Sequence, residues 1–383
     1  LRVRPPRTGV ANAQLAEARA GALPTVDIGA GAAFEKSTGQ KFSKSFNLGT
    51  QVNWDLDVWG KVDKGVNGQT AEFRATEADW RAGYLRLVAD VSTTYFQILQ
   101  FDEQIEQQQR SLAKNRQILS IFQSMRDNGL VPETQVQRQR AETSRLTKDL
   151  LELRRLRDVS ENALCTLLGV PAGDFKVPPG RLQDRVSLPG VPAGLPSQLL
   201  ARRPDIVAAE YRVLSAHELV GEAKLAQLPS ISLTGRAGTA SFALSDLLRS
   251  FTVGFLPSIN IPAFNPGIKA RVKTTEAVVK VAEQDYGRTV IAAFEEVESA
   301  LVNLDAHRRQ REELLVQVEQ LQQVSAQTQA QLSVGVISQL DVFENERSLL
   351  AAQLALLASH QQVLFDTVTL YKALGGGWAP VEV

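Results

Sequence analysis

The side chains able to do chemistry are sparse, and few of them stand together. Asp341 and Glu344 are three apart in Leu340-Asp341-Val342-Phe343-Glu344, so on a helix their carboxylates share one face. Acids so close to the start of a helix are favoured by its dipole. His217, His307 and His360 are far apart, and none belongs to a His-Glu-x-x-His or Glu-x-x-His run that would hold zinc or a di-iron pair. Glu295, Glu296 and Glu298 lack a histidine partner and read as a solvated helix face. There is no Walker loop, no Gly-x-Gly-x-x-Gly after a strand and no Gly-x-Ser-x-Gly elbow. Cys165, the single cysteine, sits on an apolar helical face and reads as a small buried hydrophobe. The expectation is a protein without enzymatic activity, metal or cofactor.

The acids are positioned by a turn that occurs twice. Met125-Arg126-Asp127-Asn128-Gly129-Leu130-Val131-Pro132-Glu133-Thr134 has its counterpart in Leu332-Ser333-Val334-Gly335-Val336-Ile337-Ser338-Gln339-Leu340-Asp341. Gly129 falls where a helix C-cap needs a positive φ, and Pro132 fits the first turn of a new helix. Each copy therefore reads as the tip of a long helical hairpin. The same offset recurs along the chain: Glu17 to Pro24 match Glu222 to Pro229 at 205, and Leu168-Gly169 match Leu374-Gly375 at 206. The pattern is a tandem duplication. Residues 1–170 form the first repeat, with a β-hairpin at 24–58 and a helical hairpin at 66–169 whose tip is 128–132. A Pro- and Gly-rich linker follows at 171–205. The second repeat, 206–376, has a β-hairpin at 229–262 and a helical hairpin at 268–374 with its tip at 334–338, and 377–383 is a tail. Leu1 falls partway into a repeat, so the register predicts residues before it, and Leu1 to Pro6 lack a signal-peptide apolar run.

Each β-hairpin alternates strictly. Val26, Ile28, Ala30, Ala32 and Phe34 are apolar between polar or small neighbours, and so are Phe46, Leu48, Val52, Trp54, Leu56 and Val58. The second repeat continues with Ile231, Leu233 and Ala237, then Phe251, Val253, Phe255, Ile259 and Ile261. The opposite parity carries Asp27, Asp55, Asp57 and Arg236, which suit a water-filled lumen. Strands of about ten residues have bilayer length when tilted. A small half-buried sheet packed on helices has the same period, but no other segment offers to cover the apolar set. Four strands cannot close a barrel, so a membrane-facing sheet requires several chains to share one.

The helices are too long for a globule. No proline occurs from Val66 to Asp127, which predicts a helix of roughly 90 Å. Val91, Ile98, Ile105, Leu112 and Leu119 form a heptad seam. In the last helix, Val342, Leu349, Leu356, Val363 and Leu370 form one seam, with Phe343, Leu350, Leu357, Leu364 and Tyr371 as a second beside it. Two adjacent seams let a helix contact a neighbour on each side. Glu103, Glu106, Arg110, Lys114 and Arg116 read as a solvated face. Lys+Arg and Asp+Glu both total 42, which gives no charge argument for nucleic acid. No run of about 18 apolar residues predicts a transmembrane helix.

Three stretches resemble the TolC/OprM family of outer-membrane efflux channels. They are Gly194-Leu195-Pro196-Ser197-Gln198-Leu199-Leu200-Ala201-Arg202-Arg203-Pro204-Asp205-Ile206, Leu228-Pro229-Ser230-Ile231-Ser232-Leu233-Thr234, and Tyr371-Lys372-Ala373-Leu374-Gly375-Gly376-Gly377-Trp378. The resemblance implies a mixed fold, a membrane β-barrel plus an α-helical barrel, built as a homotrimer of duplicated chains in the bacterial outer membrane with a large periplasmic portion. It implies twelve strands above a twelve-helix tunnel, an equatorial belt, a hexameric periplasmic adaptor (membrane fusion) protein, and an inner-membrane pump of the RND type. It places outer-membrane lipid against Val26, Ile28, Phe34, Phe46, Leu48, Val52, Trp54, Ile231, Leu233, Phe251, Val253 and Phe255. Adaptor docking falls on Asn128, Gly129, Leu130, Val334, Gly335 and Val336.

The periplasmic gate carried over by motif is Leu340, Asp341 and Glu344, with Arg347 one turn on and Gln135 from the first repeat, where relatives often carry Asp. Three chains would ring one opening with six carboxylates, whose mutual repulsion raises some pKa values and selects cations. The Arg-Tyr common before the turn glycine is replaced by Leu332-Ser333, and Pro5-Pro6 falls where the repeat predicts helix. Relatives of this branch often carry an N-terminal lipidated cysteine, as lipoproteins; Cys165 is not that residue. The reading is a passive exit duct of a tripartite pump for drugs and other small amphipathic compounds. The exit duct of a type I protein-secretion system shares the fold, and a soluble coiled-coil scaffold is the alternative of another class.

Overall fold

The computed structural model describes residues 6–36, 42–182 and 202–376. In chain order the elements are α1 (Pro6–Ala20), β1 (Thr25–Glu35), β2 (Ser43–Leu56), α2 (Lys61–Asp127) and α3 (Glu133–Leu168). Then follow α4 (Pro204–Leu225), β3 (Ser230–Ser241), a 3-10 turn at Leu244–Asp246, β4 (Thr252–Asn260), α5 (Pro266–Ser333) and α6 (Gln339–Ala373). The duplication shows in the lengths: helices of 67 and 68 residues precede the two turns, and helices of 36 and 35 follow them. Contacts divide the chain otherwise, into Leu1–Ala82 with Pro204–Ile291 and Gly83–Arg203 with Ala292–Val383, so each compact unit takes part of both repeats. Residues 194–201 of the linker motif, Gly377-Trp378 and the tail lie outside the described residues.

Two helix starts differ from the expected positions, each for a local reason. α2 begins at Lys61 instead of Val66 because the Asp57 carboxylate accepts from the Val62 N–H (3.0 Å) and the Asp63 N–H (2.9 Å). Asp57 is thus a helix cap beyond the end of β2, not a member of the polar strand face. α1 begins at Pro6, where the missing N–H costs nothing in a first turn.

In the first unit the four strands form one antiparallel sheet in the order β1-β2-β3-β4. Residues directly opposite one another share a face. Val26 pairs with Val52, Val52 with Gly235 and Gly235 with Phe255, while Trp54 pairs with Leu233. The register therefore collects every apolar parity onto one face, and Asp27, Gln51, Arg236 and Gly254 onto the other. Among the described residues no other element covers the apolar face: Ile28 is 78% exposed, Val253 72% and Phe255 69%. Leaving such a patch open costs about 25 cal/mol per Å² in water, so the face calls for an apolar environment.

The polar face is concave, and Asp27, Asn47, Gln51 and Arg236 line its groove. Gly29, Gly49 and Gly238 stand in register across three strands on that face. A Cβ at Gly238 would meet the Leu48 carbonyl oxygen at 2.9 Å and the Gly49 Cα at 3.0 Å. Below the sheet, Ala75 and Ala78 of α2 let Val207, Ala208 and Tyr211 of α4 approach closely. The Trp54 indole donates to the Ala22 carbonyl (3.0 Å) and the Trp59 indole to the Pro229 carbonyl (2.7 Å), fixing the strand ends.

In the second unit the two seams of α6 serve two neighbours. Leu350 packs with Leu112, Leu146 and Leu150 of α2 and α3, and Leu364 with Phe96 and Leu99. On the adjacent seam Leu370 and Val363 meet Ala300 and Leu304 of α5. By length and composition alone α6 could cross a membrane, contrary to the sequence expectation; Leu350, Val363, Leu364 and Leu370 of the same helix pack in these clusters. Cys165 is fully buried.

Glu103 and Glu106 depart from the expected solvated face. Arg181 forks onto Glu106 (2.8 Å and 3.0 Å), and the Leu182 N–H donates to Glu103. These acids hold the segment after α3 against α2. Two stretches of the family resemblance also meet here. The Arg203 guanidinium, 6% exposed as a residue, donates to the Ala373 carbonyl (3.1 Å) and pairs with Glu296 (2.8 Å). Glu296 stays exposed, in keeping with a solvated helix face, and adds this ion pair to it. Gly375, at φ +85°, lies so close that a Cβ would sit 2.8 Å from the Arg202 carbonyl oxygen.

The glycine row yields a matched pair of variants. Gly238→Ala forces backbone apart between β2 and β3 and should cost about 1–3 kcal/mol. Gly29→Ala, with nothing within 4 Å of the new methyl, should be close to neutral. Thermal unfolding of the β signal by circular dichroism compares the two.

Candidate functional site

Both helical hairpins turn through the same backbone device. Gly129 (φ +73°) and Gly335 (φ +76°) close the preceding helices in the left-handed region. The Leu130 N–H returns to the Met125 carbonyl (2.9 Å), and the Val336 N–H to the Gln331 carbonyl (3.0 Å). Both are Schellman closures, and they leave Leu130, Val334 and Val336 about 70% exposed (70%, 72% and 71%). The Asn128 side-chain amide (2.7 Å) and its backbone N–H (3.2 Å) both donate to the Ser124 carbonyl, closing the last turn of α2.

The returning helices start differently. Pro132 precedes α3 without a side-chain cap. Ser338 precedes α6 in a full capping box: its hydroxyl accepts from the Asp341 N–H (3.4 Å), and the Asp341 carboxylate accepts from the Ser338 N–H (3.0 Å). The same carboxylate accepts from the Ser338 hydroxyl (2.7 Å). These hydrogen bonds to Ser338, first the hydroxyl's and then the backbone's, hold the Asp341 carboxyl below its usual pKa. Asp341 thus does the helix-start work that the dipole reading described, and these hydrogen bonds outweigh the opposing effect of desolvation.

The other gate candidates converge. Gln135 from α3 and Leu340, Glu344 and Arg347 from α6 line one cavity of about 400 Å³ in the second unit. Asp341 is not among its lining residues. Its walls include Asn115 and Phe122 of α2, Arg138, Gln139 and Glu142 of α3, and Phe343 of α6, none of which the motif spacing singled out as gate residues. Phe122 and Phe343 meet as tilted rings with centroids 6.0 Å apart. Gln139, 2% exposed, donates to both the Asn115 carbonyl (3.1 Å) and its side-chain oxygen (2.8 Å), bolting α3 to α2 below the turn. Glu142 is held below the usual carboxylate range, first by hydrogen bonds from Arg145 and further by the charges of Arg145 and Arg347. Arg347 therefore acts electrostatically across from α6 to α3. The overlooked signal was a polar ladder, Gln135-Gln139-Glu142, at helical spacing on a face where a coiled coil would carry leucines.

The histidines hold no common site. His307 lies 2.5 Å from the buried Asp366, and His217 lies 3.5 Å from Glu283. Among the described residues no group of histidine, cysteine and acidic side chains could hold a metal ion.

A four-stranded sheet with one greasy face, joined to paired long helical hairpins, defines a TolC-like outer-membrane channel. The chain belongs to the outer membrane efflux protein family, whose pattern it matches over residues 7–170 and 195–376. It is 29% identical over 345 residues to the pyoverdine export outer membrane protein OpmQ of Pseudomonas putida, covering 90% of this chain and 73% of that one. The solvent efflux pump outer membrane protein SrpC of Pseudomonas putida is 31% identical over 346 residues, covering 88% and 73%. A crystal structure of CusC superposes with a TM-score of 0.89 at 27% identity, covering 97% of this chain and 87% of the other. The protein is thus an outer-membrane exit duct of an efflux system, with a large periplasmic portion.

The capping box makes the start of α6 acid-sensitive. A carboxyl whose folded pKa is depressed contributes stability above its unfolded pKa, and that contribution is lost as pH falls through the folded value. Hydrogen-exchange protection in the first turn of α6 should therefore hold at neutral pH and fall below the ordinary value of 3.8. Asp341→Asn should show the weakened protection already at pH 7, with no further acid step.

Proposed function

We propose that three copies of this chain close a shared twelve-stranded barrel above a twelve-helix periplasmic tunnel, and that the assembly is a passive conduit without enzymatic activity. The continuous apolar face of the sheet carries this reading. It holds Val26, Ile28, Phe34, Phe46, Leu48, Val52, Trp54, Ile231, Leu233, Val253 and Phe255, extended by Phe251 just before β4. Among the described residues, β1 and β4 have unpaired outer edges in the single chain. Neither an exposed edge nor an open sheet persists in hydrocarbon, so the edges must meet those of other copies. A soluble scaffold would have no use for such a face.

The partners on this reading are a periplasmic adaptor protein, docking at Asn128-Gly129-Leu130 and Val334-Gly335-Val336, and an inner-membrane pump of the RND type. The cargo is small amphipathic compounds, in keeping with relatives named for pyoverdine export and solvent efflux rather than for protein secretion. Leu340, Glu344, Arg347 and Gln135 form the periplasmic gate, with Asp341 fixing the helix end that presents them. Around a threefold axis Leu340 supplies an apolar constriction and Glu344 a ring of negative charge.

In mild detergent the purified protein should have a mass of about 126 kDa, three times the 41.9 kDa of one chain; a stable monomer soluble without detergent would rule the trimeric barrel out. Strand parity offers a second measurement. Arg at Leu48 or Val253 should hinder bilayer insertion by about 2–4 kcal/mol near the midplane, while Arg at Asn47 or Thr252 is tolerated. Equal damage on both parities would mean an ordinary buried sheet. Single-channel recording addresses the gate: Glu344→Gln should weaken cation selectivity and block by multivalent cations, and unchanged selectivity would remove Glu344 from the pore.

A further inference from the structure

The hairpin end of the sheet, remote from the helices, carries an arrangement that neither the fold nor the gate explains. Phe42, Lys44 and Phe46 alternate on one parity at the start of β2, and Lys44 stands directly opposite Phe34. The three phenyl rings cluster: Phe34 and Phe42 stack with centroids 6.4 Å apart, and Phe34 and Phe46 meet edge-on at 6.1 Å. Lys44 thus lies on the apolar face, exposed and flanked by aromatic rings, with no carboxylate at ion-pair distance among the described residues. The nearby acid Glu35 pairs with Ser43 and falls on the polar parity.

Position gives the lysine its meaning. Trp54 lies ten residues further along the same strand, on the same face, with its indole tied to the Ala22 carbonyl at the helix end of the sheet. Ten residues span about 33 Å along a strand, and a tilt of about 40° reduces that to roughly 25 Å, the height of the apolar band of a membrane barrel. If Trp54 marks one interface, Lys44 sits at the other, where its stem lies along hydrocarbon and its ammonium reaches the headgroups.

We propose that Lys44, framed by Phe34, Phe42 and Phe46, is a binding site for the phosphate of an anionic lipid headgroup, the rings packing against the acyl chains below it. The inference rests on the membrane-barrel reading. The occupant is a lipid rather than free phosphate, because a lone ammonium beside three phenyl rings offers one charge and a large apolar wall, not a polar cage.

Native mass spectrometry of the full chain in non-ionic detergent tests it, with phosphatidylglycerol, phosphatidylcholine and inorganic phosphate as separate probes. Phosphatidylglycerol should be retained in preference to phosphatidylcholine. Lys44→Gln should lower that retention about fivefold, the worth of one cation at an anionic surface. Lys44→Arg should restore it, and Lys114→Gln, which removes the same charge from a helix, should leave it unchanged. Undiminished phosphatidylglycerol retention by Lys44→Gln, in protein that still inserts into liposomes, overturns the lipid site and leaves the barrel standing. Inorganic phosphate bound at Lys44 with no lipid preference overturns it too. Failure of the wild-type chain to insert or to retain any lipid removes both readings.

Discussion

The unpaired edges of β1 and β4 are the constraint from which the rest follows. A backbone N–H or carbonyl left open in hydrocarbon costs several kcal/mol, and each edge strand presents a row of them. Among the described residues one chain holds four strands, too few to wrap into a closed cylinder. On the proposed trimer the chain is shaped for its own copies: polar face concave, apolar face convex, and Gly29, Gly49 and Gly238 aligned in register on the polar face. The long helices extend the same logic, because helices with two apolar seams can be set side by side where helices with one can only pair.

The second unit shows how a structure with so little globular core keeps its register. Arg157, Asp102 and Glu161 are largely buried, and each charge is answered. Arg157 bonds Asp102 (2.6 Å), Glu161 (3.3 Å) and the Val177 carbonyl (2.8 Å). Asp102 also accepts from the Gly180 N–H (3.3 Å), and Glu161 from the Val177 N–H (2.7 Å). Buried ions add little net stability over an apolar packing, yet removing one partner strands the others. Their value is positional: they define where the chain after α3 crosses α2, which apolar contacts alone would leave free to slide along a uniform helix surface.

Much of this was legible in the sequence because its signals are periodic. Strict alternation over about ten residues dictates both strand and face, and the odd offset between repeats preserved the face, as the register of β2 with β3 shows. Double heptad seams announced the neighbours of α6. The gate region was harder. Asp341 and Glu344 share a helix face on paper, but Ser338 captures Asp341 while Glu344 turns toward the cavity, a division of labour set by one side chain three residues upstream. Gln139 and Glu142 matter through contacts with α2 and α6 that no local spacing encodes. Glu103 and Glu106 looked solvated because their partners, Leu182 and Arg181, arrive from a segment with no period at all.

The two hairpin tips share a turn but not a fastening. At the first, Arg126 bridges Asp127 (2.6 Å) and Glu133 (3.0 Å) in the open, and Arg140 approaches Glu133 at 4.0 Å. Such pairs fade once dissolved ions shorten the screening length from about 10 Å at 0.1 M to about 3 Å at 1 M. At the second, the cap joins one charged group, the Asp341 carboxylate, to the neutral N–H and hydroxyl of Ser338, an interaction that screening weakens less than one between two opposite charges. In one chain built from two copies of a single hairpin, the ionic strength of the surrounding fluid therefore acts more on the first tip than on the second, so the duplicated arms answer their environment as different springs.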